Sequence, residues 1–226
     1  KEKYPTVLEV WGLSGSSPAQ DRHRGFMEVL NSRIKVKEIF GKWKPETVEK
    51  EIAEMDSLEE VDVVFAHNDV MAMAARRAIE RMHPGLADRI CFVGIDAVSG
   101  RGSGLEAVMH GELAASVLYP TGGSLAIRVA MQILNGEDVS RQYLLSSALI
   151  DKNNAGTLFI QSEQVVDYQH QIELQRENLE SMLSKYTFLQ NSVGIILLLM
   201  GMLLLSALYV VHVNRAVKRK NRELKR

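Results

Sequence analysis

VDVVFAHNDVMAMAARRAIERM, residues 61–82, decides the fold. Residues 61–66 are rich in β-branched and aromatic side chains and read as a strand. They run through His67-Asn68-Asp69 into a stretch with helical period. There Met71, Ala74, Ala75, Ala78 and Met82 recur at three- and four-residue steps, giving one narrow face of small residues suited to close packing on a sheet. Asp69 is expected to cap that helix. A strand that leads straight into an amphipathic helix is half of a βα unit, and its repetition would require a parallel sheet.

The repetition is present on both sides. Upstream, residues 6–11 (TVLEVW) form a short β-rich run followed by the turn GLSGSS. A helix is expected next, with Ser17 as N-cap, Pro18 at its first position, Gln20 three residues after the cap, and Phe26, Val29 and Leu30 as its apolar face. Residues 34–40 read as a second strand, and Pro45 opens a helix carrying Val48, Ile52 and Met55. Downstream, residues 90–95 (ICFVGI) are almost wholly apolar, as a central parallel strand should be, and Cys91 within them reads as a core residue. The fold class is therefore α/β, a doubly wound parallel sheet, in which ligands bind at the carboxyl ends of the strands. Those ends hold residues 12–17, Trp43, Asn68, Asp69 and Asp96. Each has an ordinary explanation: Asn and Asp serve turns and caps, Trp43 can cover the edge of the core, and Arg22 on the first helix can be a solvated surface residue. Their convergence on one edge of one sheet favours a binding site.

The C-terminal part is organised differently. Residues 151–156 (DKNNAG) separate the α/β domain from a seven-residue repeat. Val165, Ile172, Leu179, Tyr186 and Val193 fill one core position; Tyr168, Gln175, Met182, Leu189 and Ile196 fill the other. The repeat predicts a parallel two-stranded stalk over 157–192; a helix lying on its own sensor domain is the alternative. It runs in phase into residues 193–213, 21 residues without a charge, long enough to span a bilayer. Beyond them, 214–226 carry seven Lys or Arg and one Glu, whereas 180–192 carry one Lys and one Glu. That asymmetry predicts a cytoplasmic C-terminus and an external N-terminal domain. Val210, Val217 and Leu224 keep the seven-residue step, so a helix is expected to continue inside. An external domain needs an export signal, so sequence before Lys1 is expected, and the uncapped helical pattern at Arg226 predicts more beyond it.

Composition narrows the function. With 27 Lys and Arg against 28 Asp and Glu, no overall field favours nucleic acid, and the basic run is confined to the membrane edge. One cysteine permits no internal disulfide. Gly12-Leu13-Ser14-Gly15 lacks the spacing of a nucleophile elbow, and no Gly-Lys-Ser/Thr makes a phosphate loop. The six histidines show no metal-ligand spacing. No cofactor, metal or catalytic residue is expected in this chain.

GSSPAQDRHRGFMEVL, VVFAHNDVMAMAARRAI, CFVGIDA and GELAASVLYP together resemble the second lobe of type I periplasmic sugar-binding proteins, a lobe shared with lactose-repressor-like regulators. The resemblance covers roughly residues 5–150. It implies that Arg22 contacts sugar hydroxyls, that Asn68 and Asp96 are the polar residues of the Asn-Asp and Gly-Ile-Asp motifs, and that Trp43 is the aromatic that stacks on the sugar ring. Tyr119 stands where ribose binders carry an amide, which leaves the sugar open. Trp11 is a further strand-end aromatic, expected near the hinge. In the family a first lobe precedes a strand like 6–11, so residues 1–156 read as the second lobe alone. Family topology also sends 121–134 to pack on that first lobe before the chain returns at 143–150.

Together these readings imply a homodimeric receptor in the inner membrane. A periplasmic sugar moves a stalk and one membrane helix, and a cytoplasmic output responds, resembling sensor histidine kinases of the hybrid two-component type, which transfer phosphate from ATP to histidine and on to a response regulator. The alternative is a membrane-tethered solute-binding component of sugar uptake. A lactose-repressor-like DNA regulator is excluded by the apolar span and the absence of a helix-turn-helix stretch.

Overall fold

The structure, a computed structural model, describes residues 4–223. Six strands form one sheet in the order β2-β1-β3-β4-β5-β6. β1 (Thr6–Trp11), β2 (Lys35–Phe40), β3 (Val63–Ala66), β4 (Cys91–Asp96) and β5 (Ala115–Leu118) run parallel, and β6 (Ala148–Asp151) closes the edge antiparallel to β5. The chain winds outward from β1 in both directions, so the doubly wound parallel sheet expected from the repeated βα pattern is what forms. The strand order reverses at β1, and β1 and β3 flank the crevice where such sheets take ligands.

The core lies on one face, where α2 (Pro45–Ala53), α3 (Asp69–Met82) and α4 (Gly104–His110) pack on the sheet. Leu8, Val10, Val64 and Phe92 from the strands meet Val48, Ile52, Met71, Ala75, Ile79 and Val108 from the helices, all at most 1% exposed. α3 is buried more widely than its small-residue face predicts: Ala72, Met73 and Ile79 are covered too, while Met82 at its end is 40% exposed. The cause is its position between α2, α4 and the sheet, which leaves it little open surface.

α1 (Ser17–Val29) covers the opposite face, with Phe26 stacked on Phe65 at 4.7 Å between ring centroids. Val29, expected on the apolar face, is 83% exposed because it is the last helical residue and the chain leaves the sheet there. Two caps also shift by one residue. Ser16 is the N-cap of α1, its hydroxyl donating back to the Leu13 carbonyl, so Ser17 and Pro18 are already helical. Asn68 rather than Asp69 caps α3, its Oδ1 accepting from the Met71 N–H at 2.9 Å. Cys91 is exposed instead of buried: β4 begins there, at the end of the sheet opposite the strand carboxyl ends.

α5 (Gly123–Leu134) buries none of its residues, and Ile127, Met131, Ile133 and Leu134 are 55–81% exposed. After β6, a turn held by Asp151 N–H to Asn154 Oδ1 leads into α6 (Ala155–Glu223). Ala155 is buried, and Leu158 and Phe159 pack against the α/β core. Contacts divide the chain between Val165 and Val166. The second unit consists of the rest of α6, and this helix is long and apolar enough to cross a membrane.

Candidate functional site

The carboxyl ends of β1 to β5 carry the polar and aromatic residues singled out in the sequence. Arg22, one turn into α1, reaches over the sheet edge with its side chain 13% exposed. Its Nη1 donates to the main-chain oxygen of His67, just past β3. Its Nη2 donates to Asp96 Oδ1 at 3.1 Å, at the end of β4. The guanidinium carbon lies 5.3 Å from the Trp43 ring centroid and 5.1 Å from that of Tyr119. Arg22 therefore sits between two aromatic rings while bridging two strand ends, an arrangement that its planar fork can satisfy and an ammonium cannot.

Trp43 is placed by a tight turn after β2. Gly41 N–H donates to the Trp11 carbonyl, Lys44 N–H closes on Gly41, and Lys42 and Trp43 take φ of 55° and 64°. Left-handed backbone at two non-glycine residues is costly and persists only where surroundings over-determine it. Packing supplies that constraint: the indole lies over Gly12 so closely that a Cβ there would overlap the ring.

Asp96 and Ala97 are also in positive φ, 116° and 47°. The turn is anchored from below by Asp69. Its Oδ2 accepts from the Ala97 N–H at 2.7 Å and its Oδ1 from the Ser116 hydroxyl at 2.6 Å. Gly94 and Gly104 flank the carboxyl with no room for a side chain. Burial drives the Asp69 carboxyl up from 3.8 to about 6, against the lowering effect of the Ser116 and Ala97 hydrogen bonds. Burial also raises Asp96, and the adjacent Arg22 guanidinium offsets part of that rise. Past the turn, Ala97, Leu105, Leu118, Ile150 and Leu158 line an apolar cleft of about 180 Å³.

Of the five expected site residues, Arg22, Trp43, Asp96 and Tyr119 are in mutual reach through Arg22. Asn68 lies on the same edge, next to His67, and its side-chain hydrogen bond among the described residues goes to its own helix, not to the other four. Its carbonyl oxygen is committed to the α3 cap, which leaves the amide NH₂ to donate outward. Trp11 points into the interior: 9% exposed, it donates from Nε1 to Glu38 and packs against His23 at 4.3 Å. Sequence reasoning missed Ser116, the Asp69 anchor and the wholly buried Glu9 and His67. An Asp in a helix's first turn and a hydroxyl inside a strand look like cap and surface positions until the fold joins them. Glu9, His23 and Glu38 bring donor atoms within 4.8 Å of one another, but their bonds go to each other and to His67 and Trp11.

The chain belongs to the periplasmic binding protein domain family, whose model matches residues 1–138 of its 226. It is 32% identical over 153 residues to the ribose import binding protein RbsB of Salmonella typhimurium, covering 65% of this chain and 49% of that one. It is 28% identical over 141 residues to RbsB of Bacillus subtilis, covering 60% and 43%. The chain thus spans about half the length of these relatives. Among solved structures, the fructose-binding periplasmic domain of a hybrid two-component system matches with a TM-score of 0.70 at 32% identity, over 75% of this chain and 57% of that one. A Mycobacterium smegmatis protein in complex with β-D-fucofuranose matches with a TM-score of 0.64 at 25% identity, over 74% and 56%.

Proposed function

We propose that this chain carries one lobe of a periplasmic sugar receptor together with the helix that takes its signal through the inner membrane. In this reading residues 1–156 are the sensor lobe, 157–192 a dimeric stalk, 193–213 the membrane crossing and 214–226 the start of a cytoplasmic signalling helix. The observation that carries it is the convergence on Arg22 of Asp96, Trp43 and Tyr119 from separate strand ends. Asp96 accepts from sugar hydroxyls, Arg22 and the Asn68 amide donate to them, and Trp43 offers an apolar face to a ring. The likeness to a fructose-binding domain of a hybrid two-component system supports a histidine kinase output. The cleft that joins Ala97 to Leu158 offers a route from the Asp96 turn to the first turns of α6.

The test is calorimetry of the whole gene product, both lobes included, with D-ribose and D-fructose. Saturable binding of either sugar, weakened but still measurable on Arg22→Ala, supports the site. An absence of heat with both, alongside saturable binding of an amino acid, overturns it.

A second reading is a membrane-tethered component of sugar uptake, favoured by relatives that are ribose import binding proteins. Membranes containing the protein, given labelled ATP with and without sugar, separate the two. Sugar-dependent labelling of a histidine supports the receptor; sugar accumulation in vesicles without labelling supports the tether.

A further inference from the structure

We infer that Glu9 and His67 are a buried positioning pair that holds Arg22 and the Gly12–Trp43 contact in place from beneath the site. Both side chains are fully buried, Glu9 in the middle of β1 and His67 just past β3. A carboxylate at such a position is unfavourable unless its oxygens are bonded, and an aliphatic residue would serve the core alone better. Its hydrogen-bond partners among the described residues are histidines: His67 Nε2 lies 2.9 Å from Oε1 and His23 Nδ1 2.9 Å from Oε2.

The hydrogen bonds fix the tautomer of His67. Gly12 N–H points at its Nδ1 across 3.2 Å, and a backbone N–H can only donate. Nδ1 is therefore bare, the proton sits on Nε2, and Nε2–H donates to Glu9. A residue at 67 without an acceptor would leave the buried Gly12 N–H unpaired. Gly12 in turn is the floor under the Trp43 indole, and the main-chain oxygen of His67 receives the Arg22 guanidinium. One residue thus ties the stacking ring through its side chain and the hydroxyl-binding fork through its carbonyl. Glu9 orients that residue without touching either.

For its effect on affinity this inference rests on the sugar-site reading, so the experiment has one arm that needs no ligand. In the whole gene product in bilayers, with ¹⁵N-labelled histidine, the resonances lost on His67→Phe should report a bare Nδ1 and a protonated Nε2. A proton on Nδ1 would overturn the proposal whatever the ligand. The second arm measures affinity for D-ribose and D-fructose. Glu9→Leu should lose about tenfold with Arg22 present and less than about threefold in an Arg22→Ala background, since a group acting through Arg22 has little left to position. Glu9→Gln, whose carbonyl still accepts from His67 and whose amide can face His23, should recover most of the loss. Equal losses in both backgrounds, or no loss from Glu9→Leu, would reduce the pair to core structure. If Glu9→Leu does not fold, His67→Phe, which keeps the ring contacts with Trp11 and Phe65, carries the same cycle. If neither sugar binds the wild type, the sugar reading fails while the tautomer result still decides the geometry.

Discussion

Arg22 and Asp96, 74 positions apart in the chain, form an ion pair at 3.1 Å, and the same guanidinium holds the His67 carbonyl. The pair joins α1 to the ends of β3 and β4, so one side chain bridges two neighbouring strand termini at the crevice edge. Asp96 is held there in an unfavourable backbone conformation, φ 116°, by a turn that is itself pinned at Ala97. Strain kept in place by this many contacts fits a residue whose direction matters more than its local stability.

Arg22→Ala and Asp96→Ala should each weaken sugar binding in the whole gene product by ~2 kcal/mol or more, because each leaves the other charged group without its partner as well as removing a ligand contact. Titration calorimetry checks this, and unchanged affinity in both variants would remove them from the site.

Trp43 should act as a stacking face. Saturation with the bound sugar should then change the intrinsic fluorescence, and Trp43→Phe should retain more affinity than Trp43→Ala. The packing adds a sharper variant. Gly12→Ala leaves every polar contact intact but pushes a methyl group into the indole. It should lower affinity about as much as Trp43→Ala, and an unaffected Gly12→Ala would show that the ring's position does not matter.

The Asp69 carboxyl, raised by burial to about 6, makes stability pH-dependent with a definite sign. Between the ordinary value of 3.8 and about 6 the folded domain keeps a proton that the unfolded chain releases. This group's contribution therefore falls as pH rises through that window and is constant above it, a change of about 3 kcal/mol across the full window. Asp69→Asn mimics the protonated form and should lack that slope. Relative to the wild type, the Asn variant should gain stability from pH 4 to pH 7, measured by denaturant unfolding followed through Trp fluorescence. A difference that stays flat over that range would mean the wild-type carboxyl does not titrate there.

Much of this was readable in advance because βα repetition is a local signal. A strand within 61–66, the helix after it and the polar residues between them follow from period and turn chemistry within a few residues; the strand itself starts two residues later, at Val63. Trp43 and Asp96 were reachable because a doubly wound sheet brings its strand ends to one edge, whereas Tyr119 and the part given to Arg22 came from the resemblance to sugar-binding proteins. The supports beneath them were not. Glu9 alternates with apolar neighbours in β1 as any edge-strand residue would, and only the register of β1 against β3 shows that it is buried against His67. Ser116 in β5 and Asp69 in α3 likewise meet only through tertiary packing. Cys91 misled for the converse reason: an apolar run says nothing about where along it the sheet ends.

Ile172 and Leu179 are 64% and 58% exposed on the single helix, and their seven-residue spacing with Val165 and Tyr186 is the spacing expected of a coiled-coil core. Arg176 and Glu180 pair with each other at 3.3 Å, as residues facing water do. If two copies associate in parallel, single cysteines at 172 and 179 should cross-link between subunits in membranes, because core Cβ atoms face their counterparts at disulfide distance. Cysteines at 176 and 180 should cross-link weakly. A sugar that shifts the stalk should change the relative band intensities by a modest amount, since packed helices move between discrete arrangements and do not bend continuously. Uniform weak cross-linking at all four positions, with and without sugar, would sink the dimeric stalk. The helix would then serve as a monomeric anchor, and the uptake reading would take precedence over the receptor.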